Sequence, residues 1–495
     1  MPPVSEREAE APFLVTIDVG TSSVRALLFD ARARNIEGFE ARQTYAMRTT
    51  PDGGVETGAE ELAGRVDACL DELLARAKGL SDRIAAVACC TFWHSVLGAD
   101  GEGRARTPLI TWADTRPVGE AERLRERLDF HAYHRRTGAF FHPLYLPAKI
   151  LWLRAQGASG VERWVSFGEY LYHRYFGRLA CTVSMASGTG LLDLNAQAWD
   201  PETLRAVGIE AHRLSPLADV RDAFRGLKPA WAARWPALRD VPWFPAVGDG
   251  GCSNLGAGCT DGRRLALMIG TSGAMRVAWA ADRVDVPDGL WCYRADRRRV
   301  VLGAALNDGG NLLLWCRSTL QLGEEEAVER ELSAMEPFRH GLTFLPFLAG
   351  ERSPGWRADA RAAVTGLSLN TRPVEILRAG LEAVALRFAR CHDLLRAALP
   401  GAREIVASGG ALLRSPAWMQ IAADALGRPL LASAEPEGSC RGAALLALEA
   451  LGRIGSLEDL PAAVGARVDP DPRRHALYRE ALERQEALYR NVIEP

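Results

Sequence analysis

Lysine is almost missing from this chain: of 60 basic residues, all but those at 78, 149 and 228 are arginine. None of those lysines follows a glycine, so the Gly-Lys-Ser/Thr loop of a P-loop nucleotide site is excluded. An excess of one charge is lacking too. The net charge of −2 and a pI near 6.5 leave no basic field to hold a nucleic acid or an anionic membrane, and any anionic ligand must be gripped locally. No apolar run approaches the roughly eighteen residues that a membrane span needs. The stretch Met1 to Pro12 is acidic and Pro/Ala-rich rather than basic and then apolar, so no secretory signal is expected. The ten cysteines, Cys89-Cys90 among them, show no Cys-x-x-Cys or zinc-type spacing and read as reduced core residues of a cytosolic protein. The dinucleotide fingerprint is also absent, since Gly256-Ala257-Gly258 runs on into Cys259, Thr260 and Asp261.

What is present, twice, is a short polar turn between apolar strands. Ile17-Asp18-Val19-Gly20-Thr21-Ser22-Ser23 lies inside Phe13 to Asp30, and Met268-Ile269-Gly270-Thr271-Ser272-Gly273 lies inside Arg264 to Ala280. Each predicts a hairpin whose Gly-Thr-Ser turn offers backbone N–H groups and hydroxyls to phosphate oxygens, with glycine allowing close approach. Two such turns imply two lobes closing on one polyphosphate.

At 495 residues the chain exceeds what one core usually serves, so two domains are expected. The N-terminal part reads β-β-β-α-β: the hairpin, a strand at 35–47, a helix at 59–77 with Leu62, Val66, Leu70, Leu73 and Leu74 on one face, and a buried strand at 84–90. From Arg264 the order partly repeats, with a strand at 300–305, a helix opening near Asp308 and a long helix over 374–399, which points to an internal duplication. The boundary falls between Trp243 and Asp261, giving lobes at 1–250 and 251–470. The last helix, about 471–495, could pack back on the first lobe.

Three groups of residues suggest chemistry. Asp249, flanked by glycines in Val247-Gly248-Asp249-Gly250-Gly251 at the lobe boundary, is the candidate general base for a hydroxyl undergoing phosphoryl transfer. Asp18, ending a buried strand beside the first phosphate turn, suits Mg²⁺, which prefers one or two carboxylates plus phosphate oxygens. Trp93, His94, Trp112, Asp114 and Arg116 cluster at strand ends as an aromatic wall and polar grip for a polyol. Further on, the strand at 404–407 enters Ser408-Gly409-Gly410-Ala411, where a nucleotide base and ribose could lie on exposed backbone. His131 and His134 have no third ligand nearby in sequence, so burial rather than metal binding is the favoured reading.

These residues resemble the FGGY carbohydrate kinases over almost the whole chain. The matching stretches are Phe13 to Asp30, Ala246 to Gly258, Leu265 to Val277, Phe347 to Pro354, Gly366 to Glu382 and Ser408 to Gly427. The resemblance implies an α/β fold of two ribonuclease-H-like lobes, of the actin, hexokinase and Hsp70 ATPase type, with a cleft between them. It implies ATP and Mg²⁺ as cofactors and a sugar or sugar acid as acceptor, with no nucleic-acid or membrane partner and a possible homodimer.

Carried over by the resemblance, Asp249 is the base and also contacts substrate, and Asp18 and Asp249 serve the metal. ATP falls to Asp18, Gly20, Thr21, Ser22, Arg25, Gly270, Thr271, Ser272, Gly310, Gly409, Gly410 and Ala411. Within the family, Thr111 to Arg116, Arg136-Thr137-Gly138 with His142-Pro143, Lys149 to Arg154, Ser184 to Asp193 and Gly248 to Gly256 are similar to bacterial gluconate kinases. Gluconate is then the expected acceptor, with xylulose or another ketose as the alternative, and an ATP-switched binding protein or ATPase as the alternative of another class. Phe92-Trp93-His94-Ser95 departs from the usual Met-His. A carboxylate substrate needs a cation, and His94, Arg116, Lys149 and Arg352 are the candidates.

Overall fold

The computed structural model describes residues 3–494. Its first sheet is built from β1 (Phe13–Val19), β2 (Ser23–Phe29) and β3 (Asn35–Thr44), followed by α1 (Ala59–Arg76), β4 (Ile84–Thr91), β5 (Val247–Gly248) and then α2 (Asp249–Gly256). The strand order is β5-β4-β1-β2-β3, with β4 parallel to both β1 and β5.

The second sheet repeats this plan. It uses β6 (Arg264–Ile269), β7 (Gly273–Ala280), β8 (Trp291–Arg294) and β9 (Arg299–Leu306), then α3 (Gly310–Thr319) and α4 (Pro373–Ala398). It is completed by β10 (Glu404–Ser408), α5 (Pro416–Leu426), β11 (Leu430–Ser433), α6 (Gly438–Ala450), β12 (Val464–Val468) and α7 (Pro472–Val492). The order is β8-β9-β7-β6-β10-β11-β12, and β10 lies parallel to β6 as β4 does to β1. This is the two-lobed α/β architecture of the actin and hexokinase ATPases. Nothing in the residue pattern announces β8, which is only four residues long, and α3 starts two residues later than Asp308.

Strand alternation explains how the lobes join. On β1, Val15, Ile17 and Val19 face α1, while Leu14 shares a core with Cys252 and Leu255 of α2 and Cys440, Ala443 and Ala444 of α6. On β6, Leu265, Leu267 and Ile269 face α4 and α5. The helices α2 and α6 thus lie between the two sheets. They cross backbone to backbone, because any side chain at Gly256 would strike the Gly438 carbonyl and one at Gly442 the Cys252 carbonyl. The small residues of Gly438-Ser439-Cys440-Arg441-Gly442-Ala443-Ala444 make that approach feasible.

It is α6, not the last helix, that returns to the first sheet. The expectation for α7 is corrected: its face of Tyr478, Leu482, Gln485 and Tyr489 is buried on the second lobe. Gln485 Nε2 donates to the Phe344 and Ala383 carbonyls at 2.9 and 3.2 Å, and Tyr489 donates to Glu351 at 2.6 Å. Those polar anchors on an amphipathic helix match second-lobe partners, which hydrophobic periodicity alone could not distinguish from first-lobe ones.

Candidate active site

The parallel strands of the first sheet end together. Register sets Asp18 beside Cys90 and Cys90 beside Val247, so β1, β4 and β5 deliver Asp18, the Trp93-His94 segment and Asp249 to one edge. Ligands of open α/β sheets sit at such carboxyl ends. Asp18 is buried, ion-paired to Arg25 and contacted by the Cys90 thiol at 3.4 Å; Arg25 also pairs with Glu437. Asp249 opens α2, where its Oδ1 accepts from the Gly250 N–H at 2.7 Å. Burial, followed by the charge of Asp18, pushes the Asp249 carboxyl up to about 6, against the pull of the Gly250 N–H and Arg276. Such a group is ionised at neutral pH yet basic enough to accept a proton.

Trp93 holds this arrangement from below. Its indole lies against Gly248, Gly250 and Gly251, donates from Nε1 to the Ser184 carbonyl at 3.0 Å and packs edge-on to Tyr293, with centroids 5.1 Å apart. At 5% exposure it supports Asp249 and is no open wall for a sugar, which corrects its assignment to substrate. Only glycines at 248, 250 and 251 leave room for it.

His94 is a non-glycine residue with φ of 62°, in the left-handed region where strain tends to mark a site. Its Nδ1 donates to the Gly188 carbonyl, which fixes the tautomer and leaves Nε2 as an acceptor. Burial, then the nearby Lys149 charge, pushes its pKa well down, so the ring is neutral. His142 is likewise neutral, lowered to about 3 by burial and the Arg352 charge; its Nδ1 accepts from the Leu144 N–H, leaving an Nε2–H donor.

Of the four cations considered for an acidic substrate, two are already committed. Arg116 lies over the Trp152 ring and bonds Glu56 at 2.6 Å and Asp114 at 2.5 Å, while Asp114 accepts from the Val55 N–H. Asp114 and Arg116 therefore brace a loop and are corrected as substrate contacts. Lys149, fully enclosed and lowered to about 7 by burial, spends its ammonium on the His94 and Thr111 carbonyls at 2.6 and 2.7 Å. Arg352 remains. Its guanidinium sits 5.6 Å from the Trp112 ring, which keeps Trp112 at the site, and burial lowers it to about 10.

Sequence reasoning missed Arg276, on β7 of the second lobe. Its Nη1 reaches the Gly250 carbonyl at 3.4 Å and its Nε is enclosed without a partner. An arginine three residues past the turn motif on an otherwise apolar strand was the available signal. Tyr145 and Tyr293 join the lobes beside it through a 2.7 Å contact between their hydroxyls. His134 is held by the Ala139 and Pro287 carbonyls at 3.0 and 3.2 Å, a structural role.

The second lobe brings Gly270, Thr271 and Ser272 to the end of β6, next to Gly409 and Gly410 at the end of β10. Gly310 and Asn311 donate backbone N–H bonds to the Gly270 and Thr271 carbonyls at 2.7 and 2.9 Å, so α3 starts on the turn. Gly409 has φ of 90° and no space for a side chain beside the Ile269 backbone. A cavity of about 480 Å³ has Arg25 on one side and Met268, Ser408, Gly409 and Gly410 on the other. Another, of about 770 Å³, is lined by Leu313, Leu314, Arg317, Ala411 and Arg414.

Known proteins fit this geometry. Residues 13–256 match the N-terminal domain, and 265–451 the C-terminal domain, of the FGGY family of carbohydrate kinases. The chain belongs to that family. It is therefore a phosphotransferase that moves a phosphoryl group from ATP to a carbohydrate alcohol. A gluconokinase of Bacillus subtilis is 29% identical over 92% of this chain and 90% of its own length. A xylulose kinase of Lactococcus lactis is 25% identical over 97% of each. Among solved structures, a gluconate kinase from Lactobacillus acidophilus superposes with a TM-score of 0.87 at 26% identity, covering 97% of this chain and 98% of that one. A ligand-bound xylulose kinase from the same organism gives 0.89 at 26% identity over the same shares. Among the described residues no helix is long and apolar enough to cross a membrane.

Proposed function

We propose that this kinase phosphorylates D-gluconate at its terminal hydroxyl, giving 6-phosphogluconate. The observation that carries the reading is Asp249: a half-buried carboxyl pushed up to about 6 at the meeting point of the strand ends, beside Asp18 and facing the second lobe's Arg276. Asp249 accepts the hydroxyl proton as the oxygen attacks the γ-phosphorus, and the neutral His94 Nε2 accepts a bond from a neighbouring hydroxyl. The turns at Gly20-Thr21-Ser22 and Gly270-Thr271-Ser272 offer backbone N–H groups and hydroxyls to the phosphates, joined by Arg25 and Gly310; Gly409, Gly410 and Ala411 bound the nucleoside side. Lobe closure over the α2–α6 crossing excludes water and limits hydrolysis.

Mg²⁺ fits the donors present. Asp18 and Asp249 are two neighbouring acids, and among the described residues no larger cluster of His, Cys, Asp or Glu competes to make an all-protein cage. The ion, when bound with ATP, neutralises phosphate charge; Asp18 would hold it with Asp249 nearby.

The gluconate relatives support the acid over a ketose, while the xylulose relatives keep ketoses in the comparison. An ADP-release panel of gluconate, xylulose, ribulose, glycerol and rhamnulose tests the reading. Gluconate should give the highest kcat/KM, and a faster ketose or ATP turnover that needs no acceptor refutes it.

A further inference from the structure

Arg276 and Arg352 are two guanidinium groups on the second lobe, close enough that the charge of Arg276 is felt at Arg352. Neither forms an ion pair among the described residues, and the Nε of each is enclosed without a hydrogen-bond partner. What they do touch is neutral: Arg276 reaches the Gly250 carbonyl at 3.4 Å, and Arg352 donates to the Leu306 carbonyl at 2.8 Å. Asp308 lies near Arg352, but its carboxylate is taken by the Ala349 N–H and the Asn311 amide at 3.4 and 3.0 Å.

Two like charges drawn partly out of water, with Asp249 near Arg276 and Asp308 near Arg352 but no acid bonded to either, favour the arrival of an anion. Elsewhere in the chain, buried arginines are satisfied by an acid or by several carbonyls, as Arg294 is by those of Leu194, Ala281, Arg297 and Asp282. Arg387 pairs with Glu351 at 2.5 Å, and Arg378 with Glu382 at 2.7 Å. The exception stands at the site.

We propose that Arg276 and Arg352 together form the seat for the carboxylate of a sugar-acid substrate, and that Arg276 in particular makes the enzyme prefer acids to neutral sugars. This rests on the kinase reading above and names the substrate class. Arg276 adjoins the start of α2, and Arg352 lies over the Trp112 ring of the first lobe, where its charge is felt by His94 and His142. An acid with its acceptor hydroxyl at Asp249 presents its other end to these guanidiniums. The paired hydroxyls of Tyr145 and Tyr293 line the same place without adding charge. Because Arg276 and Arg352 both come from the second lobe, binding the acid helps draw the lobes together, whereas a neutral polyol gains only from the first-lobe groups.

The same cationic pair could instead serve the γ-phosphate, and the test separates the two. KM and kcat for gluconate, for xylulose and for ATP are measured on the wild type and on Arg276→Gln and Arg276→Lys. Calorimetric binding of gluconate and of glucitol without ATP is measured alongside, and melting curves confirm folding. The expected result is a rise of about 10- to 100-fold in gluconate KM for the glutamine variant, as for loss of a charge-assisted bond. Partial recovery with lysine, and a KM change of less than about threefold for xylulose and ATP beside whatever common change in kcat follows from the loss of the charge near Asp249, complete the expectation. An equal rise in KM for all acceptors, or a raised ATP KM, assigns the arginine to phosphate and overturns the proposal. So does an unchanged preference for gluconate over glucitol in the binding measurement. If wild-type enzyme binds gluconate better than glucitol through Arg276 yet fails to phosphorylate it, the seat stands and the gluconate reading falls.

Discussion

In the first hairpin Asp18 stands opposite Arg25 across the strand pair, and the two form an ion pair; at the matching place in the second, Met268 stands opposite Ala274. The turns differ as well. The Gly20 N–H bonds to the Ser23 carbonyl at 3.0 Å, whereas the Gly270 N–H bonds to Ser272 at 3.0 Å, one residue sooner. Both turns keep backbone donors and partly open hydroxyls, so both can wrap phosphate. Only the first carries an acid. The second lobe's charge enters two residues past Ala274, at Arg276, on the same face of the strand and pointing to the same cleft. Duplication thus supplied the scaffold, and the two copies divided the work: acids on one lobe, and on the other two cations without an ion pair among the described residues.

The sharpest way to break this division is at Asp249. Asp249→Asn keeps shape and removes the base, and kcat should fall by about 100-fold or more with ATP affinity little changed. The same substitution carries a stability signature. The folded-state pKa near 6 lies above the ordinary 3.8, so ionisation at neutral pH opposes folding. The asparagine variant should melt higher than the wild type above pH 6, and the gap should close as pH falls below about 4. In the wild type, kcat/KM should drop below about pH 6 as Asp249 protonates. Full activity in the variant, or a flat profile down to pH 5, contradicts the assignment.

A smaller effect tests the two hairpins against each other. Asp18→Asn removes the acid of the first copy and frees Arg25 to rest on Glu437 alone, and kcat should fall by about 10- to 100-fold at saturating Mg²⁺ and ATP. Met268→Leu, at the equivalent place, should change kcat by less than about twofold, since only apolar packing is altered. Steady-state kinetics on the pair decides: comparable losses in both would mean that the asymmetry is not chemical.

Much of this was legible beforehand. The paired Gly-Thr-Ser turns, the β-β-β-α-β order and the acids Asp18 and Asp249 are local patterns, and local patterns survive in sequence. What depends on pairing across the fold was not. Arg116 looked free until Glu56, sixty residues away, closed on it, and Lys149 looked available until two carbonyls enclosed its ammonium. Trp93 looked like a sugar wall because its slot is made by glycines at 248, 250 and 251. Arg276 was overlooked for the converse reason: an arginine on an apolar strand draws notice only when the missing partner is visible. The destination of α7 against α6 turned on which helix has residues small enough to slide between two sheets.

That last point yields the mildest prediction. Gly442 of α6 rests against the Cys252 carbonyl of α2, where a methyl group must displace backbone. Gly442→Ala should therefore lower unfolding stability by about 1–3 kcal/mol, as overpacking does, despite alanine's better helix propensity. Gly64, on α1 of the outer face, has open space around it, and Gly64→Ala should stabilise instead, by up to about 1 kcal/mol. Both are read by denaturant unfolding. The contrast separates a glycine kept for helix crossing from one that is merely tolerated. Because α2 also begins with Asp249, strain at the crossing should raise KM and lower kcat together by a few fold, less than the loss of Asp18. An alanine at 442 that leaves both stability and kinetics unchanged would mean that the two helices slide freely, and that lobe closure does not pivot on their contact.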